Sequence, residues 1–395
     1  MDTDTVVITG YGIKAPGINN INQFKDVIET GTCTQEILHG RGHNGSNIVC
    51  GVVHEELDSI SGQNYKRYPR SSKLGIAAAE EAFTMAKLTN TESARIAVIM
   101  GTSGGGILEV EQYANHDNNL KKIPLHYVSL GDSHTLSAAI IKHLDINGQA
   151  YTITTGCTAS LDAILMGKMF LEAGYADICI VGGSDALLGD WITYGFLKTA
   201  NIAENIEIAE TGVPFSKSHK GFVKAEGSAV VIMERKKDVE GRGAKIWGHV
   251  KGASSNNEGL SLLRSDETGR SMIAALKGAV GDVIPTYVNS QALGLIQNDT
   301  VEYITHQHLF GSAVPITSIK GMIGHTFGSM GAIQVVSSLL SIEHGFIPPT
   351  IKTNGDGFED LPIVFETKYQ NVESVAITNH GMSGNNTCLL ITKED

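Results

Sequence analysis

The sequence predicts an α/β protein with a largely parallel sheet, and three observations support that prediction. Short apolar segments, several of them ending in glycine, alternate with helix-length segments along the whole chain. This alternation is typical of strands that pair in parallel through helical crossovers. The 45 glycines lie largely inside apolar sequence, where they indicate tight turns and close backbone contacts rather than disorder. Apolar residues make up 42% of the chain, enough for a large buried core.

The first part of the chain supplies four predicted strands and three predicted helices. The strands are Thr5–Gly10, Arg95–Gly101, Tyr151–Thr155 and Ile178–Gly183. The helices are Ser72–Leu88, His134–Leu144 and Ala159–Ala173. This order of short apolar strands and helices is typical of an α/β protein with a parallel-rich sheet.

The charged, glycine-spaced stretch Arg235–Lys245 is the best candidate for a boundary. We divide the chain there into residues 1–238 and 239–395. The second half repeats the α/β alternation. Its predicted strands are Ile246–Gly252, Thr286–Asn289, Val375–Asn379 and Thr387–Thr392, and its predicted helices are Thr268–Val280, Asp299–Phe310 and Gly331–Ile342.

Charge and cysteine content exclude several classes of function. The net charge is −12, from 30 Lys and Arg against 42 Asp and Glu, which disfavours nucleic acid as a partner. The five cysteines are odd in number and form no C-x-x-C pair, so we expect neither a disulfide framework nor a metal site. No apolar run reaches 18 residues and the first residues resemble no signal peptide, so we expect a cytoplasmic protein that does not enter a membrane.

Cys157 is the candidate nucleophile. It follows a predicted strand and precedes a predicted apolar helix, so it lies on a turn at a helix N-terminus. Free N–H groups and the helix dipole favour the reactive thiolate there, and we expect them to lower the pKa of the thiol. Its neighbours, from Gly156 to Ser160, are small and leave room for a substrate. The alternative is a buried, inert cysteine, which is a common state of free cysteine.

Two further turns carry candidate functional groups. In Lys320–Gly331 a glycine precedes His325 and the turn leads into a helix, which can aim the imidazole into a pocket; the alternative is a surface histidine. The glycine-rich loop Asn379–Asn386 joins two strands and can present backbone N–H groups to an oxyanion; the alternative is an ordinary hairpin connection. His306 and His308 lie on a predicted amphipathic helix, and we expect both to be solvated.

Taken together, these segments resemble the β-ketoacyl-acyl-carrier-protein synthases, in the elongating type I/II branch of the thiolase-fold enzymes. The matching motifs stand in the family's order and at its separations. They are Val6–Pro16, Gly101–Gly106, Thr155–Ser160, Val181–Asp185, Pro214–Gly227, Lys320–Gly331 and Asn379–Asn386. The resemblance implies a thiolase fold, which is a duplicated α/β unit in five α-β-α-β-α layers. The first half would carry Cys157, and the second would carry His325 and the oxyanion loop.

The resemblance also implies a chemistry. Cys157 would take an acyl chain from a carrier-protein thioester, and Lys320 would support His325. The backbone N–H groups of Cys157 and Met382 would form the oxyanion hole. The implied partner is an acyl carrier protein, whose phosphopantetheine arm makes any further cofactor unnecessary. The implied assembly is a homodimer, with a heterodimer with another ketosynthase as the alternative.

One site position departs from the family's pattern. The family's Asn-Ala-His-Gly-Thr-x-Thr motif corresponds to Asn289–Leu295, which places Gln291 in the slot of the first active-site histidine. Asp299 and Glu302 follow at the family's spacing and fix that register. A glutamine amide donates hydrogen bonds but does not take up or release a proton near neutral pH. We therefore expect a ketosynthase-like acyltransferase in fatty-acid-like or polyketide biosynthesis, with weakened malonyl condensation.

The C-terminal loop departs as well. Where the family has Phe-Gly-Phe-Gly-Gly, this chain has His380-Gly381-Met382-Ser383-Gly384, so the flexible Met382 replaces the phenylalanine that gates the acyl pocket. His380 is a candidate proton-transfer group in place of Gln291, unless its ring points away from the sulfur. Gln334 replaces a glutamate common in the family and so alters the charge network of the site.

Two other functions remain open. The first is a fully active decarboxylating 3-oxoacyl-carrier-protein synthase that tolerates Gln291. The second is a non-catalytic partner subunit like the chain-length factors, which typically lack the cysteine that is intact here as Cys157. For carrier docking, the densest basic run of the first half, Lys66–Arg70 with Lys73 beyond it, is the candidate surface; a solvated loop is the alternative.

Overall fold

The computed structural model describes residues 5–88, 91, 94–114, 119–218, 220–261 and 265–394. Within these ranges the helices are α1 Ile21–Thr30, α2 Arg70–Ala86, α3 Ile107–Gln112, α4 Tyr127–Gly131, α5 Thr135–Leu144, α6 Ala159–Glu172, α7 Asp190–Lys198, α8 Lys236–Arg242, α9 Arg270–Val280, α10 Ile296–Leu309, α11 Lys320–Ile323 and α12 Met330–His344. None of these helices has the length and apolar character needed to cross a bilayer.

The strands in the same ranges comprise a main sheet and several short pairs. They are β1 Val6–Lys14, β2 Glu36–Leu38, β3 Ile48–Gly51, β4 Ser59–Ile60, β5 Gln63–Asn64, β6 Ile96–Gly101, β7 Gly148–Ile153, β8 Ile178–Asp185, β9 Lys224–Ala225, β10 Gly227–Arg235, β11 Gly248–Asn257, β12 Tyr287–Asn289, β13 Ile316–Thr317, β14 Phe346–Ile347, β15 Lys368–Tyr369, β16 Ser374–His380 and β17 Asn385–Thr392.

The strand order of the main sheet repeats itself. The order is β13-β12-β16-β17-β11-β1-β10-β8-β6-β7. The first half contributes β1, β6, β7, β8 and β10 to this sheet, and the second half contributes β11, β12, β13, β16 and β17. Among these five strands of each half, the first pairs antiparallel with the fifth, and the fifth pairs antiparallel with the fourth. The fourth pairs parallel with the second, and the second parallel with the third. The two halves join where β1 pairs antiparallel with β11. The chain therefore contains two copies of one α/β unit, and the predicted duplication is confirmed.

Helices α6 and α12 form the middle layer between the two halves. Each packs against strands of both halves, namely β8 and β17 for α6 and β10 and β16 for α12. Helices α2 and α5 cover the other face of the first half, and α9, backed by α10, covers the second. Strand β6 shows the consequence for sequence: Ala97 and Ile99 pack towards α6, whereas Val98 and Met100 pack towards α2. The five α-β-α-β-α layers of the thiolase fold are thus present.

Helix α12 is buried around its whole circumference. All its residues from Met330 to Ile342 are buried, which explains why, apart from Gln334, its sequence is apolar or small on every face. Its first turn packs closely on α6, because Gly331 faces Leu161 and the N–H of Ala332 donates to Oγ of Ser160 at 2.9 Å. This contact brings the N-terminal ends of the two central helices together.

The predicted elements are present, with ends shifted by a few residues. Helices α1 and α7, the central strand β10 and the shorter helices and strands were not predicted. The stretch Arg235–Lys245 contains helix α8, which links β10 to β11; the division at 238/239 falls inside this helix and stays a prediction. The prediction for His306 was wrong: it is buried, and Nε2 donates to the carbonyl oxygen of Val314 at 2.8 Å. Burial lowers the pKa of His306 to about 4. His308 is exposed, as expected.

Close packing of β1 on α2 yields a stability prediction. A Cβ on Gly12 would overlap the carbonyl oxygen of Ala78, a backbone atom that cannot move aside. Gly12→Ala should therefore lower the free energy of unfolding by about 1–3 kcal/mol, as overpacked cores do. Urea unfolding followed by circular dichroism measures it. In the control Gly195→Ala, the new Cβ in α7 meets no atom within 4 Å, and we expect a gain of up to ~1 kcal/mol. Equal stability of Gly12→Ala and wild type would contradict this packing.

Candidate active site

Cys157 lies on the turn between β7 and α6, as predicted. Gly156 has φ +68°, in the left-handed region that favours glycine, and residues Gly156–Thr158 form one 3₁₀ turn before α6 begins. The thiol is half-buried and lines a cavity of about 340 Å³. The cavity brings together most of the predicted site residues with three aromatic rings. These lining residues are Gln291, His325, His380, Gly381, Met382, Phe196, Phe222 and Phe327.

His325 is the partner of Cys157. Its Nε2 lies 3.1 Å from Sγ of Cys157, so the alternative of a surface histidine is wrong. Gly324 turns the chain at φ +81°, and the backbone N–H of His325 donates to the carbonyl oxygen of Val223 at 2.7 Å. Burial, and then the charge of Lys320, hold the pKa of His325 well below its usual range. The imidazole is therefore neutral and can accept a proton from the thiol.

The thiol itself differs from the sequence-based expectation. Burial raises the pKa of Cys157 to about 12, and the charge of Asp185 adds to the rise. The charge of Lys320 and a backbone hydrogen bond oppose these effects but are weaker. Desolvation thus outweighs the helix N-terminus, and the expected lowering of the pKa was wrong. At neutral pH the thiol is protonated, so its reaction needs a base, and His325 is in hydrogen-bonding contact.

Lys320 lies behind the site and is wholly buried. Its Nζ donates to the carbonyl oxygen of Ser290 at 2.9 Å, so it fixes the segment that bears Gln291. Burial lowers the pKa of Lys320 to about 7, against the opposing charges of Glu302 and Asp299. Lys320 therefore acts on His325 through its charge; the supporting role that the resemblance implies stays a prediction.

Gln291 faces the cavity from the end of β12. It is fully buried, and its Nε2 donates to the carbonyl oxygen of His380 at 3.3 Å. Its backbone N–H donates to Oγ1 of Thr378 at 3.2 Å. Its Oε1 is buried and has no hydrogen-bond partner within the described part of the chain. The amide thus links the two loops of the second half and leaves one acceptor free.

His380 is buried at the end of β16 beside a carboxylate. Its Nε2 lies 3.3 Å from Oε1 of Glu302, close enough for an ion pair but without hydrogen-bond alignment. The other oxygen, Oε2, accepts hydroxyl hydrogen bonds from Ser290 and Thr378, each at 2.7 Å. Burial alone would raise the pKa of Glu302. Contact with His380 and the hydrogen bonds from these hydroxyls together outweigh burial, so the pKa of Glu302 is below its usual range. Glu302 is therefore an ionised carboxylate.

Gly381 and Met382 bring the C-terminal loop onto the nucleophile. A Cβ on Gly381 would lie 3.1 Å from Cβ and 3.5 Å from Sγ of Cys157, so only glycine leaves this contact unstrained. Met382 lines the cavity but is 54% exposed, which places its side chain towards solvent. The oxyanion role of the two backbone N–H groups and the gating role of Met382 stay predictions.

Two buried polar residues hold the site together. Asp185, at the end of β8, accepts from Oγ1 of Thr102 and from the N–H of Gly328, both at 2.7 Å, and so ties the turn after β6 to the turn before α12. Burial raises the pKa of Asp185 to about 6. In the sequence, Asp185 was named only as the last residue of the motif Val181–Asp185, and its role in joining the two turns was not predicted. The amide of Gln334 donates to the carbonyl oxygen of Asn289 at 2.9 Å and accepts from Nδ2 of Asn379 at 2.6 Å.

Two of the four cations in the basic run proposed for carrier docking form ion pairs within the chain. Arg70 pairs with the buried Glu226, with Nε 2.8 Å from Oε2, and Lys73 pairs with Asp58. Both side chains are turned to partners in the same chain, and the docking surface stays a prediction. Lys66 and Arg67 are exposed.

Comparison with known proteins gives a consistent result. The model of the β-ketoacyl synthase N-terminal domain matches residues 3–239, and that of the C-terminal domain matches residues 247–354. The tetracenomycin polyketide synthase ketoacyl synthase alpha subunit of Streptomyces glaucescens is 29% identical over 406 residues, covering 96% of this chain and 95% of that protein. The 3-oxoacyl-[acyl-carrier-protein] synthase 2 of Synechocystis sp. is 26% identical over 420 residues, covering 100% and 99%.

Solved structures share the fold. One chain of a solved complex, described as a type II PKS acyl-carrier protein in complex with its ketosynthase, aligns with this chain. The TM-score is 0.89 at 24% identity, and the alignment covers 99% of this chain and 100% of that one. The ishigamide ketosynthase/chain length factor aligns with a TM-score of 0.89 at 21% identity, covering 99% of both chains. At this identity, the likeness establishes the fold alone.

The raised thiol pKa predicts how Cys157 reacts with a simple alkylating agent. Iodoacetamide attacks only the thiolate, and with a thiol pKa of about 12 the thiolate fraction grows with pH. The alkylation rate should rise about tenfold per unit between pH 7 and 9, without a plateau. Peptide mass mapping measures it in a Cys33→Ser background, because Cys33 is an exposed free thiol. A plateau near pH 7 would mean that the helix N-terminus, not burial, controls the thiol.

Proposed function

Because the chain belongs to the β-ketoacyl synthase family, we propose that it is an acyltransferase that loads an acyl chain onto Cys157 and passes it to an acceptor in fatty-acid-like or polyketide biosynthesis. One observation carries the proposal: Nε2 of a neutral His325 lies 3.1 Å from Sγ of Cys157 inside an aromatic-lined cavity. A nucleophile next to a base within a cavity is the arrangement of covalent acyl transfer.

In the loading step, Nε2 of His325 takes the proton of the Cys157 thiol. The thiolate attacks the carbonyl carbon of the donor thioester, and the N–H groups of Cys157 and Met382 hold the oxyanion. The donor's C–S bond breaks, and the departing thiolate takes the proton from the imidazolium. The neutral His325 is well suited to this exchange, since it both accepts and returns one proton.

Condensation with malonyl groups needs more than this. Loss of carbon dioxide leaves an enolate, which a proton-transferring group stabilises better than a neutral amide. At the cavity position where the family has its first histidine, we place Gln291, whose amide hydrogen-bonds to the backbone of His380. General acid–base catalysis contributes typically about 10²–10⁴-fold, so we propose that malonyl condensation is slower here by a factor of that order.

The proposed donor is an acyl carrier protein, whose phosphopantetheine arm carries the chain into the cavity. A ketosynthase of the same fold is known in complex with its acyl-carrier protein, and another neighbour is a ketosynthase/chain length factor. We propose a dimer, formed with a second copy or with another ketosynthase. The contact between Cys157 and His325 favours a catalytic role over that of a chain-length factor.

Intact-protein mass spectrometry tests the two half-reactions. With an octanoyl-carrier thioester, Cys157 should gain the octanoyl mass, and Cys157→Ala should gain none. After malonyl-carrier protein is added, we expect little carbon dioxide and little of the two-carbon-longer β-keto product. A protein that is not acylated contradicts the proposed transferase. Rapid formation of the β-keto product favours the fully active synthase instead.

Gln291→His tests the cause of weak condensation. The imidazole restores a proton-transferring group, so decarboxylation of malonyl-carrier protein should rise by about tenfold or more. Release of labelled carbon dioxide measures it. The matched control is Gln112→His on α3, where the side chain is exposed and no change is expected. If Gln291→His is no faster than this control, Gln291 does not limit condensation.

A further inference from the structure

We propose that His380 and Glu302 form a second proton-transfer pair, in which His380 takes the proton of the acceptor nucleophile and Glu302 positions its ring. The inference rests on the proposed function, because it assigns the step in which the acyl chain leaves Cys157. His380 would be the catalytic residue of that step and Glu302 a positioning residue.

The backbone places His380 next to the reaction. It is the last residue of β16, and Gly381, which follows it, packs on Cβ and Sγ of Cys157. His380 is 1% exposed and lines the same cavity as Cys157 and His325. Water therefore has little access to its ring, and any proton it exchanges must come from a group inside the cavity.

Glu302 is built to face this ring. It lies on α10 and is 2% exposed. Two hydroxyls, from Ser290 and Thr378, fix one carboxylate oxygen. The other oxygen lies 3.3 Å from Nε2 of His380, and neither of these two atoms has a hydrogen-bond partner in the described ranges. A buried carboxylate oxygen is costly unless a cation or donor faces it, so an imidazolium at His380 is the charge that this oxygen is placed to stabilise.

The other charged groups of the site fit this assignment. The charge of His380 acts on His325, those of Lys320 and Asp299 interact with Glu302, and Cys157 lies across the cavity. Gln291 holds the backbone of His380 through a neutral amide. A histidine at position 291 would add a third imidazole to the site and could pair with Glu302 in place of His380. The amide of Gln291 leaves the pairing of His380 with Glu302 undisturbed.

The step balances in atoms and charge. An acceptor X–H attacks the carbonyl carbon of the Cys157 thioester while its proton passes to His380. The C–S bond breaks, X keeps the acyl group, and Cys157 leaves as a thiolate. The His380 imidazolium then protonates that thiolate, which returns both residues to their starting state. The acceptor class is thus a nucleophile that carries its own proton, such as an alcohol or an amine, because transfer to a thiol is the loading step in reverse and uses His325.

The experiment separates loading from transfer in the full-length protein. S-octanoyl-N-acetylcysteamine loads Cys157, the alcohol butanol serves as the acceptor, and rapid-quench intact mass spectrometry follows both rates. His380→Gln should slow transfer by about 10²–10⁴-fold while slowing loading much less. His380→Phe, close in size and fully apolar, is the second variant if the glutamine disturbs folding. His308→Gln on α10 is the control, since that side chain is exposed and both of its rates should match wild type.

Glu302→Gln supplies a readout that a purely structural role would not move. Glu302→Gln keeps the size of the side chain but removes its charge, so it should slow transfer about tenfold or more while slowing loading much less. Glu302→Asp keeps the charge and should recover part of that loss. Equal slowing of loading and transfer in both variants overturns the positioning role.

The remaining outcomes are equally decisive. If loading and transfer slow by the same factor in both His380 variants, the residue is structural and the pair is not catalytic. If transfer is as fast as in wild type, His380 carries no proton. If the wild-type protein does not load at all, the proposed function fails, which is a different result from failure of the pair. A wild-type protein that loads but does not transfer to butanol contradicts the acceptor step.

Discussion

The packing of α6 against α12 at their N-terminal turns is the contact on which the site depends. Each helix belongs to one copy of the duplicated unit, and each begins just after a single 3₁₀ turn. The hydrogen bond from the N–H of Ala332 to Oγ of Ser160 fixes the two starts side by side. Because β1 pairs with β11, the copies cannot slide relative to each other. Cys157 and His325 therefore meet in space although they lie far apart in sequence.

Burial sets the protonation states around this contact. Desolvation disfavours charge on Cys157 and on His325, so the resting pair is a thiol and a neutral imidazole. The charges that do persist are those with several hydrogen bonds or a close partner, as at Glu302. Such a site stores its proton on sulfur and moves it only when a thioester offers a place for the developing negative charge. The arrangement protects the thiol from reacting in the absence of substrate.

Local sequence was sufficient for part of this. The order of strands and helices, the turn of Cys157 and the turn of His325 follow from apolar periodicity and glycine positions. Partners distant in sequence were not predictable. Nothing in the sequence indicated a buried partner for His306. Its hydrogen-bond acceptor, the carbonyl oxygen of Val314, lies after the end of the helix that carries His306. The ion pair of Arg70 with Glu226 was not predictable either, because the two residues lie far apart in sequence. The pKa of Cys157 depends on the depth of burial, which no local pattern reveals.

The duplication also bears on how the protein tolerates mutation. Gene duplication usually provides redundancy, since one copy can lose a function while the other retains it. Here the turn before α6 keeps the nucleophile, whereas the equivalent turn before α12, Phe327–Ser329, forms an aromatic wall of the cavity. Each copy has specialised, and neither repeats the contribution of the other. A mutation that disables the turn of one half therefore cannot be compensated by the other half, and selection acts on both halves together.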